Sequence, residues 1–179
     1  LPLEDDRYFY ALTLDYDFHF LKWVNLIGKS WNTVSDFPVG SKVVLVLPHM
    51  MGEGFSSNSD MRGCIIGITP NCTAKDIYTA SCESMGYALK TKIEYMCERG
   101  IKVDSIEIID HTKNQILPQI VCDITGINVR VRKDFDITRC IYHAALGNLN
   151  EEEGETVDLV PDEERVHKYK QLYNLYKSA

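Results

Sequence analysis

Two stretches of the sequence gather side chains able to contact a ligand. The first, Ile109-Asp110-His111-Thr112-Lys113-Asn114, joins an apolar strand to a helix. A helix N-terminus after a sheet strand attracts anions, because its first N–H groups lack intrahelical partners and point at the ligand. Thr112, Lys113 and Asn114 add donors, so phosphate is the chemistry this turn would serve. The second is the polar excursion 50–62, which carries Glu53, Ser56, Ser57, Asn58, Asp60 and Arg62. It has no local core and reads either as a lid or domain-contact element, or as an ordinary surface excursion.

Few other residues are spaced for chemistry. There is no glycine-rich phosphate loop of standard spacing, no nucleophile elbow and no HExxH. His19, His49, His111, His143 and His167 are dispersed without a ligand pattern. Asp15 and Asp17 fit a helix start better than a site. Cys64, Cys72, Cys82, Cys97, Cys122 and Cys140 form no CxxC pair, sit mostly among apolar neighbours and read as small buried hydrophobes in a reducing compartment. No catalytic residue and no metal ligand is assigned.

The elements that position the candidate turn alternate between strand and helix. Residues 8–14 read as a strand and 18–26 as a helix ending at Gly28. Val43-Val44-Leu45-Val46-Leu47, stopped by Pro48, predicts a strand buried on both faces. Residues 63–69 predict another strand. Thr73 and Asp76 make a capping box for a long helix reaching Gly100, with a stripe of Ile77, Ala80, Ser81, Ser84, Met85, Ala88, Leu89, Lys92, Ile93 and Met96. Its small residues suggest close packing on a sheet.

Further on, 101–109 predicts an amphipathic strand, 113–125 a helix, 128–131 a strand and 137–146 a helix. Alternation through Val129-Arg130-Val131-Arg132 fits a strand with one solvated face. An acidic loop at 150–155 precedes a last helix from Pro161, whose Val166, Tyr169, Leu172, Tyr173 and Tyr176 form a docking face. The pattern is a layered α/β domain without repeat or interdomain linker, a single unit over 1–179.

Composition agrees with one globular domain. The 179 residues are 45% apolar and 25% charged. The formal charge of -7 argues against a nucleic-acid partner. The longest apolar runs, Val43 to Leu47 and Cys64 to Ile68, are too short for a membrane span. With the cysteine reading this predicts a cytoplasmic protein. Leu1 in place of methionine suits a processed or excised piece of a longer chain.

The order of these segments resembles the second, C-terminal domain of the FGGY carbohydrate kinases, from about residue 8 to the end. Phe37-Pro38-Val39-Gly40 and the run to Pro48 are similar to the family's proline-glycine turn and "LP" strand. Gly52-Glu53-Gly54 falls at its Gly-Glu-Arg, and Arg62-Gly63-Cys64-Ile65-Ile66-Gly67-Ile68 resembles its "RGxxxGL" strand. The most specific likeness is the run Lys113 to Val129, with Gln119, Asp123, Gly126 and Val129 at the family's spacing. Cys140 to Gly147 and the terminal tyrosine helix complete it.

The resemblance implies an actin-like ATPase domain, ribonuclease H-like, a three-layer α/β/α arrangement with a mixed sheet, N-terminally incomplete. It implies ATP and Mg2+ as cofactors of an intact parent, and a sugar or polyol as substrate. The base and most sugar contacts belong to a missing N-terminal kinase domain, so this chain is not active by itself. Thr112 and Asn114 become the best adenosine contacts, with Lys113 near phosphate. Ile109, Asp110 and His111 stand where the family has Gly-Gly-Gly, and Arg139 where it has glycine. Three side chains crowd a backbone that must approach ATP closely, and Asp110 adds negative charge beside polyphosphate. A degenerate pseudoenzyme or regulatory module without cofactor is therefore the alternative. Oligomeric state, including a homo-oligomer, stays open.

Overall fold

The computed structural model describes residues 37–48, 60, 62–110, 116–133 and 155–179. The segments expected at 8–14, 18–26 and 137–146, most of the 50–62 excursion, Cys140 and Arg139 lie outside them.

The described elements are β1 (Leu45–Leu47), β2 (Cys64–Ile66), α1 (Ala74–Cys97), β3 (Ile106–Asp110), α2 (Leu117–Thr125), β4 (Val129–Lys133), β5 (Thr156–Leu159) and α3 (Glu163–Ser178). β1 and β2 pair antiparallel, with Val46 opposite Ile65. β3, β4 and β5 form a mixed sheet in that order. β3 runs parallel to β4 with Ile108 opposite Val131, and β4 runs antiparallel to β5 with Val131 opposite Val157.

The capping box forms as expected: the Asp76 amide donates to Thr73 Oγ1, and the Thr73 amide to Asp76 Oδ2. Two orphan donors of the first turn are satisfied reciprocally. Burial works to raise the Asp76 pKa, but bonds from Lys42 and Thr73, with the Lys42 charge, outweigh it and hold the carboxyl at about 2. α2 ends on Gly126 at φ 73, a left-handed cap that glycine adopts without steric cost.

Several expectations need correction. The strand expected at 43–47 starts only at Leu45; Gly40, Ser41, Lys42 and Val43 all have positive φ, between 42° and 83°, and make a tight left-handed turn. Val43 there is 55% exposed rather than buried. The Gly40 amide and the Ser41 hydroxyl donate to the Glu83 carboxyl and hold this turn. The strand at 63–69 contracts to Cys64–Ile66, and that at 101–109 begins at Ile106. α3 begins at Glu163, where Asp162 caps by accepting from the Arg165 amide.

β5 has no counterpart in the sequence reading. It is fixed by its partner strand, where Arg130 reaches Asp158 at 2.7 Å. Of the five described cysteines, all free, Cys82 and Cys122 are buried, Cys72 is half-buried, and Cys64 and Cys97 are exposed. Apolar neighbours along the chain do not ensure burial in a short strand or a helix end.

α1 departs from a single-stripe helix. Residues 78–84 are all buried, polar ones included, while Leu89, Ile93 and Met96 are half-buried. The N-terminal half lies between β1 and α2. Its small residues meet a helix as well as a strand: a Cβ on Gly86 would stand 2.6 Å from Ile124 Cδ1 of α2. Ser81 and Ser84 satisfy their hydroxyls on the carbonyls of Ile77 and Ser81.

The terminal helix docks as expected. Tyr169 and Tyr173 are buried, and the Tyr87 ring lies 6.1 Å from Tyr173 and 5.1 Å from Tyr176. Offset and edge-on contacts of this kind add to the area buried. β4 also keeps one wet face: Val129 and Val131 are buried, while Arg130 and Arg132 opposite them pair with Asp158 and Glu107; Lys133, exposed at the strand end, pairs with Glu155.

Candidate functional site

The candidate turn is bracketed by two elements. β3 ends at Asp110, in register with Lys133 of β4, and α2 opens at Leu117 behind Ile116. In α/β sheets this is the carboxyl end of a parallel pair, where ligands commonly bind. The helix is seated by Ile116, Ile120 and Ile124, each nearly or fully buried. His111, Thr112, Lys113 and Asn114 lie outside the described residues; Asp110 is placed by its backbone.

Ile109, on the rim of this edge, is 43% exposed. The N-cap Ile116 makes no side-chain cap bond, and Pro118 in the first turn of α2 lacks an N–H.

Gln119 and Asp123 face inward. Gln119 Nε2 donates to Asp123 Oδ1 at 2.8 Å and to the Val160 carbonyl at 3.2 Å. The Asp162 amide donates to the same Asp123 oxygen at 3.0 Å. Arg165 Nε lies 2.7 Å from Asp123 Oδ2, and its guanidinium stacks 4.0 Å over Phe37. Asp123 is fully buried, so a single carboxylate binds α2, the entry to α3 and, through Arg165, the turn before β1.

Glu83 is a second buried carboxyl. Its Oε1 accepts from the Gly40 amide at 2.8 Å and from the Tyr169 hydroxyl at 3.0 Å. Its Oε2 lies 2.9 Å from Ser41 Oγ. Burial dominates and raises its pKa to about 7, against the bonds from Gly40, Ser41 and Tyr169 and the Arg165 charge. The sequence reading passed over Glu83 and Arg165. Glu83 had one available signal: an acidic residue one turn from both Thr79 and Tyr87, inside a run of small residues.

The model of the "FGGY family of carbohydrate kinases, C-terminal domain" matches residues 26–140. The chain belongs to that family. This FGGY domain is 29% identical over 98 residues to a glycerol kinase of Streptococcus uberis, covering 53% of the chain and 20% of that relative. It superposes on the xylulose kinase of Rhodospirillum rubrum with a TM-score of 0.72 at 17% identity, covering 89% of this chain and 36% of that one. A Brucella ovis structure described as a xyloylose kinase gives 0.73 at 15% identity, covering 89% and 37%.

The FGGY domain thus spans about a fifth of the glycerol kinase and a little over a third of these solved chains. The α/β fold with its mixed sheet is the family's, and Gln119 and Asp123 of its most specific run act as an internal brace. No helix among the described residues is long and apolar enough to cross a membrane.

Proposed function

We infer that residues 1–179 form a single nucleotide-side domain of an ATP-dependent carbohydrate kinase, which transfers a phosphoryl group to a sugar or polyol hydroxyl only together with a first kinase domain. The family match over residues 26–140 carries this reading. Thr112, Lys113 and Asn114, with Asp110 and His111, are its nucleotide-contact residues; the base and most sugar contacts fall to the other domain. Such catalysis rests on positioning the hydroxyl and stabilising the transferred charge.

The test is transfer of labelled phosphate from Mg·ATP to a panel of pentoses, hexoses and polyols, using the full-length protein that contains this domain. Sugar-dependent turnover, lost in a Thr112→Ala/Asn114→Ala variant of unchanged stability, supports the reading; no turnover with any acceptor sinks it.

Ile109 favours a second reading, a pseudoenzyme or regulatory module. Its exposed side chain stands where the family resemblance calls for glycine. Calorimetry separates the two: Mg·ATP binding at millimolar affinity or tighter removes the pseudoenzyme reading.

A further inference from the structure

The turn before β1 and the carboxyl beneath it are both held in unfavourable states. Ser41, Lys42 and Val43 have φ of 42°, 56° and 67°, a left-handed run in residues that carry a Cβ, one of them β-branched. Strain of this kind persists only where surrounding contacts impose it, and it collects at switches and clamps. The contacts here come from Glu83, 1% exposed, through the Gly40 amide and the Ser41 hydroxyl. We propose that Glu83 and the turn Gly40–Val43 form a proton-controlled latch: the neutral carboxyl keeps the turn seated on α1, and loss of the proton lets the turn lift.

The three hydrogen bonds are all donated to the carboxyl and favour its ionised form, so it is burial, at 1% exposure, that holds the proton against them. Oε1 accepts from the Gly40 amide and the Tyr169 hydroxyl, and remains an acceptor when Oε2 is protonated. Ser41 Oγ donates to Oε2 when the carboxyl is ionised; a proton on Oε2 turns that bond round, with Oε2–H donating and Ser41 Oγ accepting.

The ionised form is poorly compensated. Arg165 on α3 acts on Glu83, but its Nε is engaged at Asp123 and its plane lies over Phe37. Lys42, in the turn itself, faces away to Asp76 and the Asn71 carbonyl, both at 2.8 Å. The other titratable groups toward Glu83, Tyr87 on α1 and Tyr169 on α3, are phenols whose own ionisation it opposes. β1, Leu45–Leu47, carries no titratable side chain.

Lifting the turn relieves both costs in one movement, since it hydrates the carboxylate and lets Ser41–Val43 return to ordinary φ. The sign follows from proton linkage. The seated carboxyl titrates near pH 7 and a hydrated one near its ordinary value, so the open form binds fewer protons between those limits. Opening is favoured as pH rises through that window and levels off above it.

The experiment is amide hydrogen exchange of Gly40–Val44 in the full chain, corrected for intrinsic rates, between pH 5 and 8.5. The open population is expected to climb by up to ~10-fold per pH unit toward neutrality and then flatten. Glu83→Gln, which keeps the Oε1 acceptor and offers Nε2 to Ser41, is expected to show a flat profile. Carbon NMR of the Glu83 carboxyl in the unmodified chain reads the same titration independently. A carboxyl midpoint in the ordinary glutamate range, or the same exchange profile with Gln, overturns the latch.

Discussion

Asp123 Oδ2 and Arg165 Nε stand 2.7 Å apart, with Asp123 fully buried and Arg165 largely so, and through them α2, α3 and the Phe37 turn share one charge pair. Removing one member of a buried pair leaves the other desolvated and unmatched, at about 3–5 kcal/mol. Asp123→Ala is expected to lower unfolding free energy by roughly 3 kcal/mol, read from urea midpoints with an unchanged slope. Arg165→Ala added to it should cost much less than it does in the unmodified chain, as coupled sites require.

Asp76 gives an acid-range dependence. Its folded pKa of about 2 lies below the ordinary 3.8, so its stabilisation is fully present above pH 4 and lost as pH falls through 2. The contribution is about 2 kcal/mol. Asp76→Asn should flatten the stability curve across that window while lowering its upper plateau.

Gly67 sits at φ 82, and a Cβ there would meet the Val43 carbonyl oxygen at 2.5 Å. Backbone offers no rotamer to move aside. Gly67→Ala is expected to destabilise by about 1–3 kcal/mol, measured by thermal unfolding.

The Tyr87 hydroxyl is buried with no hydrogen-bond partner among the described residues. Deleting an unsatisfied polar atom while keeping the ring should be neutral or favourable, by up to about 1 kcal/mol. Tyr87→Phe tests this directly; Tyr87→Ala, which forfeits the contacts with Tyr169, Tyr173 and Tyr176, should cost about 3–5 kcal/mol.

At the proposed nucleotide edge, Asp110→Gly removes a negative charge from beside polyphosphate. Calorimetry with Mg·ATP is expected to show affinity rising by roughly fivefold, the worth of ~1 kcal/mol. Unchanged affinity would separate Asp110 from the nucleotide.

What the sequence determined by itself was local and periodic. The Thr73–Asp76 box fixes where α1 starts because both partners lie within one turn. Gly126 fixes where α2 stops because the left-handed cap favours glycine. The order of motifs from Phe37 to Val129 was enough to point to the family. Tertiary structure decided what depends on partners distant along the chain. Thr156–Leu159 becomes a strand because β4 supplies its ladder, and Val43 leaves its strand for a strained turn because Glu83, 40 residues on, grips Gly40 and Ser41. Asp123 stands out in the sequence only as part of the family run, and its partner Arg165 not at all, until folding brings the two together. β3 and α2 bracket the candidate turn, whose residues 111–115 lie outside the described ones.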